Sequence, residues 1–416
     1  MELKRVVVTG LGALTPIGNT AQEYWNGLVN GKSGAAPITL FDPEKFKTRF
    51  ACEVKGYDPL DHIDRKEARK MDRFTHLGMA VADEAITDSR LVEDKVDPER
   101  IGVIWGSGIG GLRTFLDEAI GFAQADFTPR FNPFFIPKMI VDITPGHISI
   151  KYGFRGPNYS TVSACASATH AIIDAMNLIR LGKADAILAG GSEAAVTEAG
   201  IGGFNAMQAL STRNDSPETA SRPFDSGRDG FVLGEGAAGL VLEEYEHAKA
   251  RGAKIYAELS GGGMSADAYH LTAPHPDGLG VIKVMKDVLA DAKMNPSDID
   301  YINVHGTSTP LGDVLEVNAI SKVFGDHALK MNISSTKSMT GHLLGAAGAI
   351  EAAACVMSIQ NNIVPPTINH FELDENLDPA MNFTFNKAQE RTVNAAISNT
   401  FGFGGHNASV LFTKLD

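Results

Sequence analysis

A long internal repeat constrains this chain more than any other feature. Phe231-Val232-Leu233-Gly234-Glu235-Gly236-Ala237-Ala238-Gly239-Leu240-Val241-Leu242 lines up with Phe401-Gly402-Phe403-Gly404-Gly405-His406-Asn407-Ala408-Ser409-Val410-Leu411-Phe412 at a constant offset of 170 residues. Each copy joins a glycine-rich turn to an apolar run of buried-strand character. Ile101-Gly102-Val103-Ile104-Trp105-Gly106-Ser107 similarly echoes Tyr301-Ile302-Asn303-Val304-His305-Gly306-Thr307. Such self-similarity implies two related α/β halves. They meet near Glu246 to Lys254, giving domains 1–250 and 251–416. The 43 glycines suit many tight strand-to-helix turns, and 416 residues at 44% hydrophobic can bury one large core or two fused ones. Thr114 to Lys138, rich in Phe and Pro, fits neither repeat and reads as an insertion.

Cys165 falls at one of these turns, in Ser163-Ala164-Cys165-Ala166-Ser167-Ala168. Tyr159 to Val162 reads as strand, and Ala166 through Leu181 carries apolar residues at helical spacing. The sulfur therefore sits at a helix N-terminus, where unpaired amides and the macrodipole favour thiolate. A buried structural cysteine is the plainer reading of any single cysteine. Two histidines weigh against it. His305 follows the strand Tyr301 to Val304, and His342 lies in Lys337-Ser338-Met339-Thr340-Gly341-His342, a polar turn leading into a small-residue helix. Both read as strand-end histidines, and the cysteine turn echoes the His342 turn. One thiol and two imidazoles presented on loops point to covalent acyl chemistry.

Several classes are excluded. Cys52, Cys165 and Cys355 are odd in number and lack CxxC pairing, so reduced thiols are expected, with neither a disulfide framework nor a metal site. A net charge of −13 without a long basic run argues against nucleic acid. Met1-Glu2-Leu3-Lys4-Arg5 enters a strand directly and no segment has the length of a membrane span, so a cytoplasmic protein is expected. Gly106-Ser107-Gly108-Ile109-Gly110-Gly111 has neither a Walker ending nor the dinucleotide spacing, and no cofactor is expected. Arg222, Asp225, Arg228 and Asp229 read as a loop-fixing ion network rather than a charged active site.

The motifs Ala164-Cys165-Ala166, His305-Gly306-Thr307-Ser308-Thr309 and Lys337 to His342 occur in that order, with Cys165 and His305 140 residues apart and His305 and His342 37 apart. In these motifs, and along essentially its whole length, the chain resembles the β-ketoacyl-acyl carrier protein synthases, the thiolase-like condensing enzymes, and most closely the synthase II type of fatty acid elongation. The resemblance implies a duplicated α/β fold packed as a five-layered α/β/α/β/α sandwich, and a homodimer. It implies acylation of Cys165, an oxyanion site from the backbone N–H groups of Cys165 and Phe403, and decarboxylation of malonyl thioester assisted by His305 and His342. Lys337 and Glu351 match a charged pair behind the histidines, read equally as a buried salt bridge or a tuning device. By the same resemblance Thr272, Thr307 and Thr309 hold the pantetheine arm, and Ile109, Phe204, Phe401 and Phe403 border the acyl channel. Lys66, Arg69, Lys70 and Arg73, at i, i+3, i+4 and i+7 of an expected helix, match carrier-docking cations, and a solvated helix face is the other reading. Gln208 stands where relatives often have a further arginine. A polyketide-type ketosynthase of the same fold is the alternative.

Overall fold

The computed structural model describes residues 3–415; Met1, Glu2 and Asp416 lie outside the described residues. Ten strands build the principal sheet: β1 (Val6–Leu14), β2 (Ile101–Gly106), β3 (Asn158–Thr161), β4 (Ala186–Glu193), β5 (Gly236–Glu244), β6 (Ala257–Ala266), β7 (Tyr301–Asn303), β8 (Asn332–Ser334), β9 (Ala395–Gly402) and β10 (His406–Thr413). Their order is β8-β7-β9-β10-β6-β1-β5-β4-β2-β3. Split between β6 and β1, the order reads β3-β2-β4-β5-β1 in one half and β8-β7-β9-β10-β6 in the other, so each strand corresponds to the one five places later. Directions repeat too: β2 is parallel to β3 and β4, β7 is parallel to β8 and β9, and the remaining neighbours within each half are antiparallel. The repeat seen in the sequence is a repeat of topology.

The halves share only a short ladder, Val7 with Glu258 and Val8 with Ala257. Packing joins them instead. Of the helices α1 (Arg73–Ser89), α2 (Leu112–Gln124), α3 (Ser167–Arg180), α4 (Leu279–Ala292), α5 (Pro310–Phe324) and α6 (Ala347–Asn361), all but α2 supply the layers. α1 covers the outer face of the first sheet, α4 and α5 that of the second, and α3 and α6 lie between, each touching strands of both halves. This is the expected α/β/α/β/α order. α6 is buried from Ala347 through Ile359, with apolar or small residues on every side and only Glu351 and Ser358 polar among them. Glycines let the layers close: a Cβ on Gly10 or Gly12 of β1 would come within 2.3 Å of an α1 carbonyl.

The expected helix through Lys66, Arg69, Lys70 and Arg73 is not continuous. A four-residue helix, Arg65–Ala68, stops, and Asp72 caps α1, its carboxylate also accepting from the Thr114 amide at 2.9 Å. That break turns Arg73 inward, onto the buried Glu235 carboxylate at 2.6 and 2.8 Å. Lys66, Arg69 and Lys70 remain together around a shallow surface cavity with Asn132, Pro133 and Phe134. The insertion forms α2 and a short helix, Phe135–Met139, and exposes Phe115, Phe127, Phe131, Phe134 and Ile136.

Candidate active site

β3 ends at Thr161 and α3 begins at Ser167, so Cys165 lies in the tight turn between them. Ala164 takes a left-handed φ of 51°, a conformation an alanine adopts only when its surroundings hold it. The Ser167 hydroxyl does so, donating to the Ala164 carbonyl at 2.6 Å and accepting from the Ser163 amide at 3.0 Å. Gly402 then packs on the turn: a Cβ there would lie 2.7 Å from the Ser163 carbonyl oxygen.

His305 follows β7, where the Glu316 carboxylate of α5 accepts from the backbone amides of His305 and Gly306, both at 2.9 Å. His342 is not held at a strand end as expected. A short helix, Lys337–Thr340, intervenes after β8, and an extended stretch fixes the residue: its amide donates to Val232 at 2.7 Å and its carbonyl accepts from Gly234 at 3.0 Å. The three side chains converge. Cys165 Sγ lies 3.0 Å from His342 Nε2, the imidazoles cross at 87° with centroids 5.3 Å apart, and one ligating atom of each residue lies within 4.8 Å of the others.

Burial pushes the Cys165 thiol up to about 12, against the lowering influence of Lys337 and the Phe403 backbone N–H. Lost hydration at this depth opposes the thiolate that the helix terminus favours. Burial also holds both imidazoles well below the ordinary histidine range, with the Lys337 charge adding to the effect. Neutral at physiological pH, each offers one N–H donor and one lone pair. Lys337 and Glu351 are fully buried and paired, and burial lifts the Glu351 carboxyl to about 7 despite that cation.

The trio opens into a cavity of about 710 Å³. Ile109, Phe204, Phe401 and Phe403 line it, as do Thr272, Thr307 and Thr309, with the last two hydroxyls 3.1 Å apart. Gln208 lies in this wall also, apart from the surface cations. Arg228 reaches Asp374 at 2.7 Å and Asp313 at 3.5 Å, Arg222 lies 3.8 Å from Asp225, and Asp229 accepts from the Thr212 amide, so the charged segment ties loops together as expected. All three cysteines are free thiols.

Two buried carboxylates escaped sequence reasoning. Glu316 orients His305, and Glu193 accepts from the Ser107 hydroxyl and the amides of Gly108, Ile109, Gly110 and Gly345. Their donors are distant in sequence or backbone only, and neither leaves a motif.

Comparison with known proteins agrees with this architecture. Residues 3–248 match the β-ketoacyl synthase N-terminal domain and residues 256–371 the β-ketoacyl synthase C-terminal domain. The chain is 50% identical over 415 residues to a 3-oxoacyl-[acyl-carrier-protein] synthase 2 of Coxiella burnetii, covering all of both chains. It is also 50% identical over 417 residues to the protein of that name in Synechocystis, covering 100% of this chain and 99% of the relative. A solved type II polyketide acyl-carrier protein in complex with its ketosynthase, bound to the hexaketide, matches with a TM-score of 0.91 and 33% identity over all of both chains. Duplicated thiolase-like topology, both domain matches in order and half identity along the full length have one meaning: the chain belongs to the β-ketoacyl synthase family.

Proposed function

We propose that this chain is a β-ketoacyl-acyl carrier protein synthase of the elongating, synthase II type, an acyltransferase that lengthens fatty acyl chains by two carbons. The observation that carries the reading is the contact of Cys165 Sγ with His342 Nε2 beside His305, at the base of a cavity bordered by Ile109 and Phe204.

In the first half-reaction the acyl thioester passes to Cys165 Sγ and the carrier thiol leaves. The Cys165 proton goes with it to the departing carrier thiol, while His342 keeps its Nε2 proton beside Sγ. The tetrahedral oxyanion is held by the amides of Cys165 and Phe403. In the second, malonyl-carrier carboxylate loses CO₂, and its electron pair becomes an enolate that attacks the acyl-Cys165 carbonyl. The new carbon–carbon bond forms as the Cys165 thiolate departs, and the thiolate takes up one proton from solvent, the proton that the loss of CO₂ consumes overall. Neutral His305 and His342 donate to the enolate oxygen as charge develops. Two such donors suit decarboxylation; a hydrolytic Cys–His pair would need only one base and a water. Lys337 and Glu351 support the histidines from behind, and Thr272, Thr307 and Thr309 receive the pantetheine arm. Lys66, Arg69 and Lys70 dock the acidic carrier. Two copies associate through the exposed Phe-rich insertion, and the boundary between the family halves lies near 250. No helix among the described residues is long and apolar enough to cross a membrane, which agrees with a cytoplasmic place of work.

Purified protein incubated with acyl-carrier proteins of graded length and malonyl-carrier protein is expected to yield 3-oxoacyl products two carbons longer, with CO₂. Absence of new carbon–carbon bonds overturns the reading. A polyketide-type ketosynthase is the second reading, favoured by the structural match to one. Half identity to the elongating relatives, against a third to that structure, favours the first. Iterated extension, or dependence on a second subunit, would reverse that order.

A further inference from the structure

β4 ends on Glu193, whose side chain is fully buried and, among the described residues, forms no ion pair. Its charge is met by hydrogen-bond donors alone. Oε1 accepts from Ser107 Oγ at 3.0 Å, Gly110 N at 3.1 Å and Ile109 N at 3.2 Å, and Oε2 from Gly108 N at 2.7 Å and Gly345 N at 3.0 Å. Ser107 to Gly110 form the loop after β2 that carries Ile109 into the cavity wall, whereas Gly345 lies three residues after His342. One carboxylate thus ties the acyl-channel wall to the turn bearing a catalytic imidazole.

The tie excludes side chains at the contact. A Cβ on Gly345 would come within 2.1 Å of the Gly108 nitrogen and 2.7 Å of Glu193 Oε2, and one on Gly108 within 2.9 Å of that oxygen. The two backbones are packed too closely to approach further, and both are held by hydrogen bonds to the one Glu193 carboxylate. No isosteric replacement conserves the arrangement. Glutamine presents a donor where one oxygen accepted, opposing two or three N–H and O–H groups, and aspartate is one methylene too short to reach both loops.

We propose that Glu193 is a positioning residue that couples acyl-chain length, sensed at Ile109, to the placement of His342 beside Cys165. The proposal rests on the elongating reading of the site. A chain that fits the channel leaves the Ile109 loop where Glu193 holds it, and the His342 turn in register. A chain that displaces Ile109 shifts both together.

The test is a double-mutant cycle with Ile109→Phe and Glu193→Gln. Its readouts are kcat/KM across primer lengths and, separately, the rate of Cys165 acylation by mass spectrometry. In the native background Ile109→Phe is expected to exclude long primers. In the Glu193→Gln background that exclusion is expected to relax, shifting the long-to-short ratio by about tenfold or more, the discrimination carried by a methylene in an apolar pocket. Ser107→Ala, which removes one of the five donors and keeps the charge, should shift the ratio the same way by less, and carries the test if Glu193→Gln does not fold. A uniform loss at every length, with additive effects and a lowered Tm, would assign Glu193 a purely structural role and overturn the proposal. Unchanged length profiles would overturn it as well. If the native protein forms no carbon–carbon bond the elongating reading fails, while the length dependence of Cys165 acylation still decides the role of Glu193.

Discussion

A thiol lifted to about 12 by burial does not wait as a thiolate. Below that value each pH unit raises the thiolate fraction about tenfold, so alkylation of free enzyme by iodoacetamide should climb throughout pH 6 to 9 without levelling. A plateau near neutrality would mean that the helix terminus outweighs burial after all. Mass spectrometry after incubation with acyl thioester should show a single adduct, on Cys165 and not on Cys52 or Cys355, which are buried and do not line the cavity that Cys165 does. Cys165→Gln should abolish condensation yet retain or raise malonyl decarboxylation, since the amide fills the acyl-cysteine position without reacting. His305→Ala and His342→Ala should each cost about 2 to 4 kcal/mol in decarboxylation, the range for losing one oxyanion donor. Measured release of CO₂ from malonyl-carrier protein checks both. At this scale Cys165, His305 and His342 were legible as candidates, the cysteine by its turn of small residues and the histidines by their glycine-rich settings. Glu193 and Glu316 were not: a lone glutamate at a strand end or within a helix gives no sign that distant amides will surround it.

Loops and helix breaks place the groups proposed to set specificity. Ile109 is moderate in size and its loop is held from below, so Ile109→Phe should abolish use of long acyl primers while sparing short ones, as overpacking a closed channel costs about 1 to 3 kcal/mol. Product profiles by primer length measure this. The basic segment divides into two roles. If the carrier docks on this face as proposed, charge reversal at Lys66, Arg69 and Lys70 should raise KM for carrier-bound substrate and barely affect a small pantetheine mimic. Arg73→Ala should instead lower stability by about 3 kcal/mol in denaturant unfolding, leaving Glu235 buried without its cation. The helical spacing of these four cations was visible in the sequence, but the break was not. Asp72 reads as one more surface acid until Thr114, 42 residues on, is found bonded to it.

Across the whole molecule the two sheets touch through a two-residue ladder, while α3 and α6 form a shared middle layer. Most of the cohesion between halves is therefore side-chain packing. Fragments 1–250 and 251–416 expressed separately should each aggregate, exposing the faces of α3 and α6, while the intact chain unfolds in one calorimetric transition; two well-separated transitions would show independent halves. The duplication was legible because glycine-rich turns and strands recur at a fixed offset. The linking role of α6 was not, because a helix whose apolar residues run round every side does not say which two faces it will cover. The matching strand orders also carry a consequence for the origin of the chemistry. The turn bearing Cys165 and the turn bearing His342 occupy equivalent places in the two repeats and face each other across a pseudo-dyad. In a symmetric pair of identical repeats each turn could meet only its own copy, thiol against thiol or imidazole against imidazole. Fusion into one chain lifts that identity, letting the ancestral position diverge into an electron donor on one side and a proton donor on the other.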